Sequence, residues 1–359
     1  MWCVMGEKST ITLRIPKKVA AAALVLIVIV AAIVTIWLVY PLLQKRALQP
    51  MNLALVALNG TTVALNELDI SRLQTFESKG GFKTSAGSLR GIGTYTGVRL
   101  IDLCNLVGGI NDTCSLRVTA SDGYSMVCAY DQVMGHNLVT FDPATGDEAN
   151  HTQPLTTVLA YYKDGLDLNS EDGGPLRLGI LGPEGLLTEG HWWIKYVVKI
   201  EIRPAIEEWT LLLKGVLVEN MTRATFESGV NEQCHGLNWT DSNNNVWTGI
   251  PLWLLVGRVD DSDVHETNGS VRAFNDTLAL EGYTVKVISG QINPSTEQGY
   301  SCEFSSTRVM RNSTIIVASG LNGAPLPEPY WPLRLVGSGL SGSEMLINVV
   351  EIQIIFPGS

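Results

Sequence analysis

Basic residues are scarce in this chain and unevenly placed. Its 359 residues hold 25 Lys and Arg against 35 Asp and Glu, and beyond Arg46 the balance is 19 against 34. An acidic surface repels phosphate backbones, and no basic stripe with interleaved aromatics occurs, which argues against nucleic acid as a partner. Histidine is equally sparse. His136, His151, His191, His235 and His265 show no H-E-x-x-H and no other paired metal spacing. There is no G-x-S-x-G elbow and no Walker loop, so the common hydrolase and P-loop chemistries have no carrier. The single G-x-G-x-x-G, "GSGLSG" at 337–342, runs into "EMLINVVEIQI". A dinucleotide site needs a helix there to receive the pyrophosphate, whereas this continuation reads as a strand, so the glycines read as a turn.

Charge is absent altogether from residues 19–43, "VAAAALVLIVIVAAIVTIWLVYPLL", a run of 25. About 20 apolar residues suffice to cross a bilayer, and a cleaved signal peptide has a shorter core of roughly 7–15. The run therefore predicts a permanent transmembrane helix, with Trp37 and Tyr40 at the level of an interfacial belt. Lys8, Arg14, Lys17 and Lys18 precede it, and only Lys45 and Arg46 follow closely. The positive-inside rule then places residues 1–18 in the cytoplasm and the bulk of the chain outside a cell membrane crossed once. Eight N-x-[ST] sequons agree with that side: Asn59, Asn111, Asn150, Asn220, Asn238, Asn268, Asn275 and Asn312. Among 20 asparagines this exceeds random placement, and all eight lie beyond the span, so the ectodomain is expected to be a glycoprotein.

The four letters "TFES" occur at 75–78 and again at 225–228. Further matches follow in the same order. "YTGVRLIDL" (95–103) pairs with "WTGIPLWLL" (247–255), and "GYSMVCAYDQVM" (123–134) with "GYSCEFSSTRVM" (299–310). "PLRL" recurs at Pro175 and Pro332, and "VVKIEI" (197–202) returns as "VVEIQI" (349–354). Collinear landmarks at offsets between 150 and 176 predict two tandem copies of one domain, at 50–204 and 207–359, the second more divergent. Each copy reads as strand-rich α+β. "SLRVTAS-DG-YSMVCAY" is a hairpin turning on Asp122-Gly123. Val98, Ile101, Leu103 and Leu106 recur at helical spacing and stop at Gly108-Gly109. "VVKIEI" alternates as a half-buried closing strand. The join, "IRPAIEEW" (202–209), is short enough that the two domains should touch.

These same pieces carry a resemblance. "LNG" (58–60), "YTGVRLIDL", "ASDGYS" (120–125), "DGLDLNSEDGGPLRL" (164–178) and "KYVVKIEI" (195–202) resemble the oxidoreductase molybdopterin-binding domain of sulfite-oxidase type. The resemblance covers the first copy and, more weakly, the second. It implies molybdenum or tungsten held by a pterin dithiolene and one cysteine thiolate, with basic side chains on the pterin phosphate. In the second copy Cys234, followed by His235, stands nine residues beyond Thr225, where that thiolate is expected. At the same count the first copy has Thr84. Conversely Lys195 and Lys199 belong to the first copy, and the second has Ile347 and Glu351 at the matching offset. Neither copy carries both halves of the site, and no paired arginines precede the span to mark twin-arginine export.

Cys234 has a second reading. It and Cys302 are the only cysteines of the second copy, and outside the membrane a disulfide is the default. Cys104, Cys114 and Cys128 make an odd set in the first copy, in which Cys104–Cys114 would close a short loop. Two acidic stretches, "DLNSED" (167–172) and "DSNNN" (241–245), lack the glycine of an EF-hand loop, and with the further charge run "DDSDVHE" (260–266) they read as solvated loops. The aromatic clusters His191-Trp192-Trp193 and Tyr330-Trp331 read as core, with a glycan or partner platform as the alternative. Two functions follow from these residues. The first is a membrane-anchored, non-catalytic binding module with no cofactor and an extracellular protein or glycan partner. The second is a molybdopterin-dependent oxidoreductase with its metal on Cys234.

Overall fold

The computed structural model describes residues 50–358 apart from 86, 232–233, 263–273 and 296. The predicted transmembrane helix at 19–43 and the Asn268 sequon lie outside the described residues. No helix among the described residues is long and apolar enough to cross a membrane. From Pro50 onward the chain forms one compact unit.

The first half runs β1 (Asn52–Val56), β2 (Thr62–Asn66), α1 (Glu67–Ser71), β3 (Thr75–Lys83), β4 (Leu89–Arg99), α2 (Leu100–Asn105), β5 (Cys114–Ala120), β6 (Ser125–Ala129) and α3 (Tyr130–Val133). It continues through β7 (Thr140–Phe141), β8 (Thr156–Lys163), β9 (Leu166–Asp167), β10 (Arg177–Gly182), β11 (Leu187–Glu189) and β12 (Val197–Pro204). The second half runs β13 (Thr210–Lys214), β14 (Val218–Thr222), α4 (Arg223–Val230), β15 (Leu237–Thr240), β16 (Val246–Pro251), α5 (Leu252–Val256) and α6 (Asp276–Glu281). It ends with β17 (Thr284–Asn293), β18 (Gln298–Ser305), α7 (Ser306–Val309), β19 (Ile316–Leu321), β20 (Ala324–Pro325), β21 (Arg334–Val336) and β22 (Val349–Ile355). The fold is strand-rich α+β, built on several sheets.

One five-stranded sheet in each half has the same order, β2-β1-β12-β5-β6 and β14-β13-β22-β17-β18. In both, the first and last strands of the half lie side by side and parallel, as β1 with β12 and β13 with β22. "VVKIEI" is therefore a central strand rather than an edge. Alternation puts Ile200 and Ile202 into the core, and a register shift between Val197 and Lys199 lets Val197 join them. The predicted hairpin is β5–β6, with Gly123 at φ +91° and the Asp122 carboxylate accepting from the Tyr124 amide. A left-handed residue at that turn favours glycine.

The recurring "TG" has a backbone cause. At Gly97 on β4 and Gly249 on β16 the register against β8 and β19 shifts, so each is a bulge site. A Cβ there would lie 2.3 Å from the Leu159 carbonyl oxygen and 2.1 Å from that of Val317. Only a residue without a side chain lets the two strands meet this closely.

"TFES" occupies unlike places. In the first half it begins β3, where the Thr96 hydroxyl donates to Glu77 at 2.7 Å. In the second it lies within α4, which follows β14 as α1 follows β2. Thr222 caps α4, accepting from the Thr225 amide, and Arg223 pairs with Glu227 one turn on. Neighbours rather than the four letters decide their conformation, so this match is not a landmark of equivalence, unlike the other four.

The second sheet differs more between the halves. In the first, β10 pairs with both β8 and β3, so β3, β4, β8 and β10 close on themselves. In the second, β15 is only four residues long, and the sheet β15-β16-β19-β20, with β21 on β19, stays open. Each half has its own core, one around Leu53, Val118, Leu159 and Trp193 and one around Leu213, Phe226, Val287 and Ile352. Ala224 on α4 packs into the first of these, so the second half contributes to the core of the first.

Candidate functional site

The residues singled out by the resemblance fall among different neighbours. Cys234 sits exposed in the turn between α4 and β15, its amide donating to the Asn231 carbonyl at 2.8 Å. The turn reaches the first half, where the Ser125 amide donates to the Asn231 side chain at 3.2 Å. Burial pushes the Tyr124 phenol up, and Cys234 is among the groups around it. His235 is lowered first by burial and then by the Arg258 charge. Lys199 is ion-paired with Glu201 at 3.0 Å. Lys195 lies instead near Arg177 and Asp172, its ammonium lowered by burial and then by the Arg177 charge. Strand register also removes the counting argument. Thr84 follows β3 at the hairpin end, whereas Cys234 precedes β15.

The disulfide expectations are not realised. Cys104, Cys114, Cys128, Cys234 and Cys302 are all free thiols. Cys302, on β18, donates to the Glu344 carbonyl at 3.7 Å within the second half, while Cys234 lies against the first. Burial pushes the Cys302 thiol up to about 12. Cys104, Cys114 and Cys128 are core residues, and burial followed by the neighbouring thiols raises Cys104 to about 12. Among the described residues no three His, Cys, Asp or Glu side chains converge as a metal site.

Most of the acidic loops hold themselves together. Asp241 accepts from the amides of Asn243 and Asn245 and from the Trp247 indole, which lowers its carboxyl to about 2 and fastens the β15–β16 turn. Asn169 accepts from the amides of Glu171 and Asp172 in the same manner. Asp260 is no solvated residue: it is fully buried and accepts from the Asn275 amide at 2.7 Å. Of the sequons, Asn59, Asn111, Asn150, Asn220 and Asn238 are exposed. Asn275 caps α6 through its Oδ1 and donates from Nδ2 to Asp261 at 3.0 Å. Asn312 Nδ2 donates to the Arg308 carbonyl at 3.0 Å, so these two amides are engaged in the fold.

The aromatic clusters divide. Trp192 and Trp193 are core residues, Trp193 stacking near Tyr95 and Phe82. Arg177, from the first "PLRL", is 4% exposed and lies over the Phe82 and Trp193 rings at 4.9 and 5.4 Å. Arg334, from the second, lies over Trp247 and Tyr330 at 4.5 and 4.3 Å. Both arginines occupy one register, opposite Ala160 and Ala318. Trp331 is only half-buried and lines a cavity of about 340 Å³ beside the join between the halves.

A buried arginine sits at the join. Arg223, 2% exposed, donates through Nη2 to the Val127 carbonyl of the first half at 2.9 Å and to Glu208 at 3.0 Å. Its Nη1 donates to Glu227. Nearby, the His191 side chain is 9% exposed, with Glu189 3.8 Å from its Nε2. Burial lowers His191 to about 3 and raises Glu189 to about 7. The two act on stability in opposite senses. As pH rises from the ordinary glutamate value to about 7, the unfolded chain loses the Glu189 proton first and stability falls. As pH drops from the ordinary histidine value towards 3, the unfolded chain gains the His191 proton first and stability falls again. Melting curves of Glu189→Gln should lose the decline on the alkaline side, and those of His191→Gln the decline on the acid side. Parallel profiles for wild type and both variants would refute this assignment.

No protein-family model matches the chain, and no curated protein matches it. Among solved structures the chain is similar to the sulfane dehydrogenase SoxCD from Paracoccus pantotrophus, at 12% identity over 85% of this chain and 77% of that one, with a TM-score of 0.34. That likeness is one of strand-rich α+β architecture with several sheets.

Proposed function

We propose that the chain is a membrane-anchored extracellular glycoprotein. On this reading its two degenerate molybdopterin-binding-like domains, 50–204 and 207–359, form a non-catalytic module that binds an extracellular protein or glycan. The repeated sheet order supports two copies of one ancestral domain. The five exposed sequons suit an outward-facing surface.

The observation that carries the reading is that the cations a cofactor would need already have other neighbours. A molybdenum-bound pterin needs a thiolate and phosphate-binding cations converging on one place. Cys234 lies exposed in a turn beside Tyr124, Lys199 is ion-paired with Glu201, and Lys195 has Arg177 and Asp172 as neighbours. These residues do not fit the group, and no redox step is derived from them. The oxidoreductase alternative would have to assemble its site from other residues.

Metal analysis by mass spectrometry, on full-length protein purified from its own membranes, tests the reading. The expected result is neither molybdenum nor tungsten above trace. About one atom of either per chain, lost in Cys234→Ser, would overturn it and restore the oxidoreductase.

A further inference from the structure

The cavity beside the join has a definite chemical character. Its volume of about 340 Å³ lies at the lower end of the range, about 300–1,000 Å³, typical of small-molecule sites. Trp209 and Trp331 form part of its wall, together with Pro325, Leu326 and Pro332. Trp209 is held edge-on against Phe226 at 5.4 Å, so one wall is fixed to the core of the second half. The carboxylates at its surface are Glu207, Glu227 and Glu328. Glu207 and Glu328 are exposed at the rim, and Glu227 lies deeper.

Arg223 is the one cation in this lining, and its charge is already committed. Its Nε and Nη2 donate to Glu208, Nη2 also to the Val127 carbonyl, and Nη1 to Glu227. Arg223 neutralises one of the four carboxylates gathered here, and the remainder leaves the cavity negative.

We infer that this cavity is a binding site for a small organic ammonium ion, a quaternary or protonated alkylamine. Aromatic faces attract such a cation through their ring quadrupoles, at about 0.5–2 kcal/mol per well-placed ring. Carboxylates a few ångströms away add Coulomb attraction that water at the rim only partly screens. An anion is repelled by the surplus of carboxylates, and four of the five Arg223 N–H groups are already engaged. A small inorganic cation would need several oxygens at coordination distance, and no such convergence of three acidic, His or Cys side chains exists among the described residues. A neutral sugar would match the indoles, but it would leave the uncompensated carboxylates without a partner. The cavity takes an organic cation whether or not a cofactor is bound elsewhere in the chain.

The test uses the full-length protein at low ionic strength, following tryptophan fluorescence and calorimetric heat. Choline is titrated against 3,3-dimethylbutan-1-ol, its uncharged isostere, and against a neutral methyl glycoside. Choline should bind saturably and at least about tenfold more tightly than the isostere. Trp331→Ala should weaken it by a similar factor. Glu207→Gln combined with Glu328→Gln, which changes two exposed side chains and leaves the fold intact, should weaken choline while leaving the isostere unchanged. Equal affinity for choline and its isostere, tighter binding of the glycoside, or choline affinity unaffected in the double glutamine variant would each overturn the inference. So would the absence of saturable choline binding by a protein whose melting profile shows it folded.

Discussion

Arg223→Met should lower the stability of the 50–359 unit by about 3 kcal/mol, the lower end of the range for removing one partner of a buried ion pair. The guanidinium is 2% exposed, but Glu208 and Glu227 keep 45% and 32% of their side-chain surface, so part of the charge released can rehydrate. Methionine conserves the length and apolar stem, which separates loss of charge from loss of packing. Three groups lose a partner: the Val127 carbonyl across the join and the carboxylates of Glu208 and Glu227, the latter already raised chiefly by burial. Adding Glu227→Gln to Arg223→Met should therefore recover part of the loss, because the stranded negative charge is gone. Urea unfolding of the four proteins gives the coupling. An additive result, in which the double variant is as unstable as the two single losses together, would mean that the pair contributes nothing as a pair.

Gly97→Ala and Gly249→Ala should be comparably severe, at about 3 kcal/mol each. The added methyl would stand 2.3 Å from the Leu159 oxygen in one and 2.1 Å from the Val317 oxygen in the other. Both contacts are with backbone in the neighbouring strand, which cannot rotate aside as a side chain can. Gly342→Ala is the control, since nothing lies within 4 Å of its added Cβ. Hydrogen exchange should show each loss concentrated in its own half, around β4 and β8 for the first variant and β16 and β19 for the second. Wild-type-like stability of either variant would mean that the bulge can open at little cost.

Elements with strong local pattern were legible in the sequence. The β5–β6 hairpin announced itself through Asp122-Gly123 between two β-rich runs, and α2 through apolar spacing before a glycine pair, although Val98 of that spacing lies on β4 and Leu106 is exposed beyond the helix. β12 was legible as a strand, though its central place was not, since alternation reports a buried face and says nothing about neighbours. The "TFES" match misled because a tetrapeptide has too few contacts of its own to fix a conformation. In the second half Thr222 and the Arg223–Glu227 pair draw it into a helix. The count from it to Cys234 then lost its meaning. Arg177 and Arg334 were visible as a repeated "PLRL" but were read only as a landmark. An arginine opening a strand whose six residues are all buried was itself the signal that it must lie on something, and aromatic rings supply it. The shortness of the join was legible but its contacts were not, because Val127, Glu208, Arg223 and Glu227 meet only through the packing of distant segments.

The parallel pairing of β1 with β12, and of β13 with β22, has a mechanical consequence. When the first and last strands of a domain are neighbours running the same way, the chain enters at one end of the sheet and leaves at the other. Tension applied along the chain then pulls the two strands lengthwise past each other. The hydrogen bonds joining Ala54 to Val56 with Lys199 to Glu201 are loaded together, in shear, instead of opening one at a time as in a hairpin peeled from its end. Both halves share the arrangement, and because each passes its chain on at the far end, the short segment from Pro204 to Thr210 joins them without a returning loop. Such a tandem resists stretching along its own length far better than across it.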